Sequence, residues 1–150
     1  MNEFLETILE IVTAAGQLDR LKQRGPHFHL RVENGGFMPL IIEAWDSPIV
    51  GEGRRISAAH YFESAGDLVP DPEVEIRDDG WPIELSQSMG YTQVTVYRED
   101  GTMLFASSSK REVLHFLNYT WAPNLRAQRF IEAARKLAEP QPVDPLTVPA

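Results

Sequence analysis

At 150 residues the chain has the commonest size for one domain around one hydrophobic core. Hydrophobic residues at 43% and charged residues at 24% argue against a disordered chain, and no apolar run nears the roughly 20 residues of a membrane span. A net charge of −8 disfavours nucleic acid, and the lack of cysteine excludes disulfides, thiolate metal sites and a cysteine nucleophile.

Residues 2–24 read as an amphipathic helix, with Asn2 as N-cap, Glu3 and Glu6 at its positive end, and Arg20, Lys22 and Arg24 at its negative end. Phe4, Ile8, Val12, Ala15 and Leu18 form its apolar stripe, Gly16 is a point where it can split, and Gly25-Pro26 ends it. The period then changes from about 3.6 to 2. Phe28, Leu30 and Val32 alternate with His27, His29 and Arg31, and Asn34-Gly35-Gly36 turns the chain into a strand over Phe37–Trp45. A third strand, Arg54–Glu63, puts Ile56, Ala58, His60 and Phe62 on one face and Ser57, Ala59, Tyr61 and Glu63 on the other. Gly66-Asp67 begins a turn, and Pro70 and Pro72 confine the fourth strand to Glu73–Arg77.

Asp78-Asp79-Gly80 turns into a short strand, Trp81–Leu85, which Pro82 assigns to a sheet edge. Strands at Tyr91–Arg98 and Thr102–Ala106 flank the turn Glu99-Asp100-Gly101. Ser109 and Glu112 form a capping-box pattern that opens a second helix with Val113, Phe116, Leu117 and Trp121 on its apolar stripe. Pro123 breaks that helix, and a third carries Ala127, Phe130, Ile131, Ala134 and Leu137 inward and Arg126, Arg129 and Lys136 outward. The expectation is one α+β domain over 1–138: an N-terminal helix, an antiparallel meander of six or seven strands, and two C-terminal helices packed on it. A proline-rich, flexible tail follows over 139–150. The acidic start, Met-Asn-Glu-Phe-Leu-Glu, is unlike a secretory signal, and the cysteine-free chain is predicted to be cytoplasmic.

Between Ile56 and Glu75 runs a more specific string: Ile56-Ser57-Ala58-Ala59-His60-Tyr61-Phe62-Glu63, Gly66-Asp67, and Asp71-Pro72-Glu73-Val74-Glu75. It resembles the pattern of a family of small uncharacterised bacterial domains found on plasmids, integrative elements and phages. Trp121, Asn124-Leu125, Gln128 and Phe130 are similar to that family's closing helix. The resemblance covers about Leu30 to Phe130 and implies a setting on a mobile genetic element, with no particular chemistry.

The charge is concentrated. Glu63, Asp67, Asp71, Glu73, Glu75, Asp78, Asp79 and Glu84 stand against Arg77 alone, giving residues 63–84 a net −7. Residues 108–136 carry +4. The leading expectation is a non-enzymatic protein-binding domain. Its surface would be those eight acids with Tyr61, facing a partner with a basic surface in an anti-defence or regulatory role.

Two alternatives come from other classes. His60 with Glu63, Asp67 or Asp71 has the residue types of a metal-dependent hydrolase, although a core histidine bonded to a carbonyl is the plainer reading. Arg126 and Arg129 offer phosphate contacts for a nucleic-acid binder. His27 and His29 supply two zinc ligands that would need His60 or Glu43 to complete them, against the plainer reading of a solvated strand face. Ser107 and Lys110 have the Ser-x-x-Lys spacing of an acyl-transfer site but lack its companion motifs. No catalytic residue, resident metal or cofactor is predicted.

Overall fold

In a computed structural model, described for residues 2–88 and 90–140, the first element is helix α1, Glu3–Ala14. The Asn2 carboxamide oxygen accepts from the Leu5 N–H at 2.7 Å, and its Nδ2 donates to the Gly80 carbonyl at 3.0 Å. One side chain therefore caps the helix and ties it to the sheet. Gly16 adopts φ +74, a left-handed value that stops α1 and separates it from the short α2, Leu18–Lys22.

Six strands follow in meander order: β1 Phe28–Val32, β2 Leu40–Asp46, β3 Arg54–Ser64, β4 Asp67–Arg77, β5 Pro82–Gln87 and β6 Gly90–Gln93. All adjacent pairs are antiparallel. A separate two-stranded ribbon joins β7, Thr95–Tyr97, to β8, Met103–Ala106. The predicted strand Tyr91–Arg98 is divided between them. Val94 is fully buried at the corner, where its N–H bonds to Ile83 and its carbonyl to Ser107. The α+β class, the meander and the helical layer are as the sequence pattern predicts.

Several boundaries differ, and each has a local reason. Phe37 and Met38 are exposed in the loop after β1, so β2 begins only at Leu40. The β3–β4 turn is Ala65-Gly66, both with positive φ, which matches the twist of a two-residue hairpin. Strand β4 runs through Pro70 and Pro72, because β5 pairs only with Glu73–Ile76. Along the rest of β4 that edge is free, and a proline nitrogen facing it forfeits no ladder bond. A bulge here accommodates the cis Asp71–Pro72 peptide. Strand β5 is interior rather than an edge. Pro82 is its first residue, at a register shift opposite Ile76, where no N–H is required.

The C-terminal helical run also departs from expectation. Ser109 is already helical and makes no side-chain cap, so the capping box does not form. Instead Ser107 Oγ accepts from the Ser109 N–H at 3.0 Å. Helix α3, Lys110–Phe116, passes Pro123 without breaking, through a π-helical turn at Leu117–Trp121 into α4, Ala122–Ala127. A proline lacks an N–H and crowds the carbonyl four residues back; the wider turn, closed by Ala122 N–H to Leu117 O, relieves both.

The wide turn also corrects phase. Val113, Leu117, Trp121 and Leu125 recur every four residues, a spacing that drifts about 40° per step around a regular α-helix. All four are buried, because the extra residue in the turn cancels the drift. The actual break comes at Arg129, in the left-handed region with φ 65, before α5, Phe130–Ala138. Asn34 Nδ2 donates to the Gln128 carbonyl exposed by that break at 2.7 Å. Ala127 and Leu137, predicted to face inward, are exposed. The predicted tail lies, from residue 141 on, outside the described residues.

The helices cover one face of the sheet. Phe28, Leu30, Val32, Leu40, Ile42, Ala44, Ile56, Ala58, Val74, Ile76 and Leu85 meet Phe4, Ile8, Val12, Leu117, Trp121, Leu125 and Phe130 in one core. Arg54 seals one end of it. Its guanidinium is buried and donates to the carbonyls of Leu21, Pro26 and Ala44 and to Asp46 Oδ1, at 2.9–3.2 Å. Among the described residues no helix is long and apolar enough to cross a membrane.

Candidate functional site

The face turned away from the helices is built from the alternate residues of the same strands. Pairing register sets His29, Glu43, Ser57, Glu75, Glu84 and Gln93 in one row across β1 to β6. The next row holds Arg31, Ile41, Ala59, Glu73, Ser86 and Tyr91. Ser57 and Ala59 on the central strand are short, whereas their neighbours are long. The result is a hollow of about 250 Å³ lined by Glu43, Trp45, Ser57, Glu73, Glu75, Glu84 and Ser86.

The carboxylates in the hollow are held in different ways. Tyr61 donates to Glu73 Oε2 at 3.1 Å and Tyr91 donates to Glu84 Oε2 at 2.6 Å. Burial and the Glu73 charge push the Tyr61 hydroxyl pKa up to about 12, and the hydrogen bond to Glu84 takes Tyr91 to about 12. Burial raises the Glu75 carboxyl above its ordinary value, with the charges of Glu84 and Glu52 adding to this. Arg55 opposes that rise: its guanidinium is buried, pairs with Glu52 and reaches Glu75 Oε1 at 3.4 Å. Such an array is rich in acceptors and has few donors, a chemistry that suits a cationic N–H group.

The structure brings together only some of the predicted surface. Tyr61, Glu73, Glu75 and Glu84 share the hollow's face. Glu63 and Asp67 lie at the exposed tip of the β3–β4 hairpin, and Asp71 accepts from the Ser88 N–H at 3.0 Å. Asp78 and Asp79 are engaged elsewhere. Asp78 accepts from the Arg54 N–H at 3.0 Å, and Asp79 pairs with Arg77, which lowers its pKa. Glu43, considered in the sequence only as a zinc ligand, joins the acidic group through pairing of β2 with β3. Its alternation with Ile41 and Trp45 was the available signal for its face; only register shows which acids it meets.

His60 belongs to the core. Its Nδ1 lies 3.2 and 3.3 Å from the Met38 and Pro39 carbonyls, and its ring packs against Trp121 and Phe130. Burial lowers its pKa. Among the described residues no group of three or more His, Asp or Glu is arranged to hold a metal ion. His27 stacks on Trp45 and its Nε2 lies 3.6 Å from Glu43 on the sheet's outer edge. Arg126 pairs with Glu10 at 2.8 Å, while Arg129 is exposed. Lys110 places its ammonium 3.3 Å from the Trp81 ring centroid rather than near Ser107 Oγ, which accepts from backbone.

A family model described as a domain of unknown function, DUF6908, matches residues 6–131. The chain belongs to this family. The match takes in α1 from Glu6 on, the whole sheet, the ribbon, α3, α4 and the first residues of α5, so the family's shared unit is the helix-backed sheet itself. No curated protein and no solved structure matches the chain.

Proposed function

We propose that this domain is a non-enzymatic protein-binding module whose open sheet face receives a basic segment of a partner protein. The observation that carries the reading is the convergence of Glu43 of β2, Glu73 and Glu75 of β4 and Glu84 of β5 on one hollow over the short Ser57 of β3, walled by Trp45. Exposed Tyr91 and half-buried Tyr61 flank it, and aromatic residues next to charge are the residue types that dominate interfaces. Arg55 compensates part of this charge, chiefly at Glu52 and Glu75, leaving Glu73 and Glu84 with tyrosine hydroxyls as their partners. A lysine or arginine side chain entering there gains charge-assisted hydrogen bonds from carboxylates already held in position. The setting follows from the resemblance to domains of plasmids, integrative elements and phages: an accessory, anti-defence or regulatory role in the cytoplasm.

The test is capture of partners from cell lysate on immobilised protein at about 0.1 M and about 1 M salt, where the screening length falls from about 10 Å to about 3 Å. A partner retained at low salt should be lost at high salt and lost on the Glu73→Gln, Glu84→Gln double variant. Retention indifferent to both changes overturns the reading.

A further inference from the structure

The flank of α3 and the π-helical turn carries the opposite charge from the sheet face. Arg111, His115 and Tyr119 follow one another at intervals of four on a single ridge beside a surface groove of about 570 Å³. Leu114 supplies apolar wall, and Lys110, whose ammonium lies over the Trp81 ring, also lines it. The volume lies within the range of small-molecule sites, about 300–1,000 Å³.

Three features of the groove point to one kind of ligand. Arg111 is exposed and makes no ion pair among the described residues, so its five N–H donors are available. His115 and Tyr119 pack together with ring centroids 4.8 Å apart and planes tilted by 31°, and Tyr119 is 73% exposed. An aromatic pair left open to water is a platform for another flat ring. Finally, Tyr119 sits in the π-helical turn, a local widening that recurs at functional sites.

We propose that this groove binds a mononucleotide, with phosphate on Arg111 and the base stacked against Tyr119 and His115. The span from residue 111 to 119 is about 12 Å of helix, room for one nucleotide unit. A longer strand would run its next phosphates past Glu112 and over a molecule of net charge −8, which selects against a polymer.

The experiment is calorimetric titration of the full chain at about 50 mM salt with AMP, inorganic phosphate and an eight-residue oligothymidylate in separate arms. AMP should bind, at least about tenfold more weakly to Arg111→Ala and at least about fivefold more weakly to Tyr119→Ala. Tyr119→Phe should keep the affinity, as should Glu73→Gln on the opposite face. Both mutated side chains are solvent-facing, so circular dichroism should show an intact fold. Absence of AMP binding overturns the proposal, as does phosphate binding as tight as AMP or binding of AMP that ignores Tyr119→Ala. Oligothymidylate binding tighter than AMP overturns it in favour of a single-strand site.

Discussion

The two faces of the six-stranded sheet are cut from the same strands, residue by residue, yet they do opposite things. Phe28, Leu30 and Val32 vanish beneath helices while His29 and Arg31 between them stay in water. The inner face is held by shape: large aliphatic and aromatic groups fill space, and any loss leaves a void. The outer face is held by charge, with carboxylates kept close together by tyrosines and Arg55 against their mutual repulsion. Stability therefore resides on one side, and a concentration of hydrogen-bond acceptors, where a basic segment is proposed to dock, on the other.

The sharpest way to break that division is to mutate neighbours on one strand. Phe28→Ala should cost about 3–5 kcal/mol in urea unfolding, whereas His29→Ala should stay within about 0.5 kcal/mol. Comparable losses at both positions would show that the outer face also carries the fold.

Arg54 is the exception that tests the rule from the other direction, a charge placed at the end of the core. Arg54→Met should cost about 3 kcal/mol, because the Leu21, Pro26 and Ala44 carbonyls lose donors together. Arg54→Lys should recover little, since an ammonium cannot reproduce the planar fork.

His60 gives the inner face a pH response. Its folded pKa lies below the ordinary 6.5, so the unfolded chain takes up the proton first. Its contribution is fully present above about pH 6.5 and is lost as pH falls toward the folded value, with a slope approaching about 1.4 kcal/mol per pH unit. Unfolding curves between pH 7.5 and 5 (conditions on the order of those where histidine titrates) should show this fall in the native chain and a flatter profile in His60→Asn.

The smallest effect belongs to the outer face. The Glu75 pKa is raised in the fold, so ionisation costs stability above its unfolded value, and Glu75→Gln should gain up to about 1 kcal/mol at pH 7. A clear loss there would mean that the Arg55 pair outweighs the crowding.

Much of the inner face was legible in the chain. Alternation in 28–32 and 40–44, the Asn2 cap and the glycine at 16 are local signals, and each acts within a few residues of itself. Four prolines were misleading because the context that tolerates each is not written beside it. Whether Pro70, Pro72 or Pro82 disrupts a strand depends on whether a neighbouring strand requires its missing N–H, a tertiary fact, and Pro123 is accommodated by the wide turn that precedes it. The acidic site was half legible. A window of sequence groups Asp78 and Asp79 with Glu73 and Glu75, although two of these are engaged by Arg54 and Arg77 at the strand end. It also leaves out Glu43, thirty residues upstream, which strand pairing sets beside Ser57 and so close to Glu75.

The π-helical turn makes chain length and residue type interdependent. Deleting Thr120 alone would close the turn to ordinary width and drive the following proline ring into a carbonyl. Deleting it together with Pro123→Ala should restore a continuous α-helix that still presents its apolar side to the sheet. In a genetic screen the proline replacement would surface as a suppressor of the deletion, two lesions milder in combination than the first is alone.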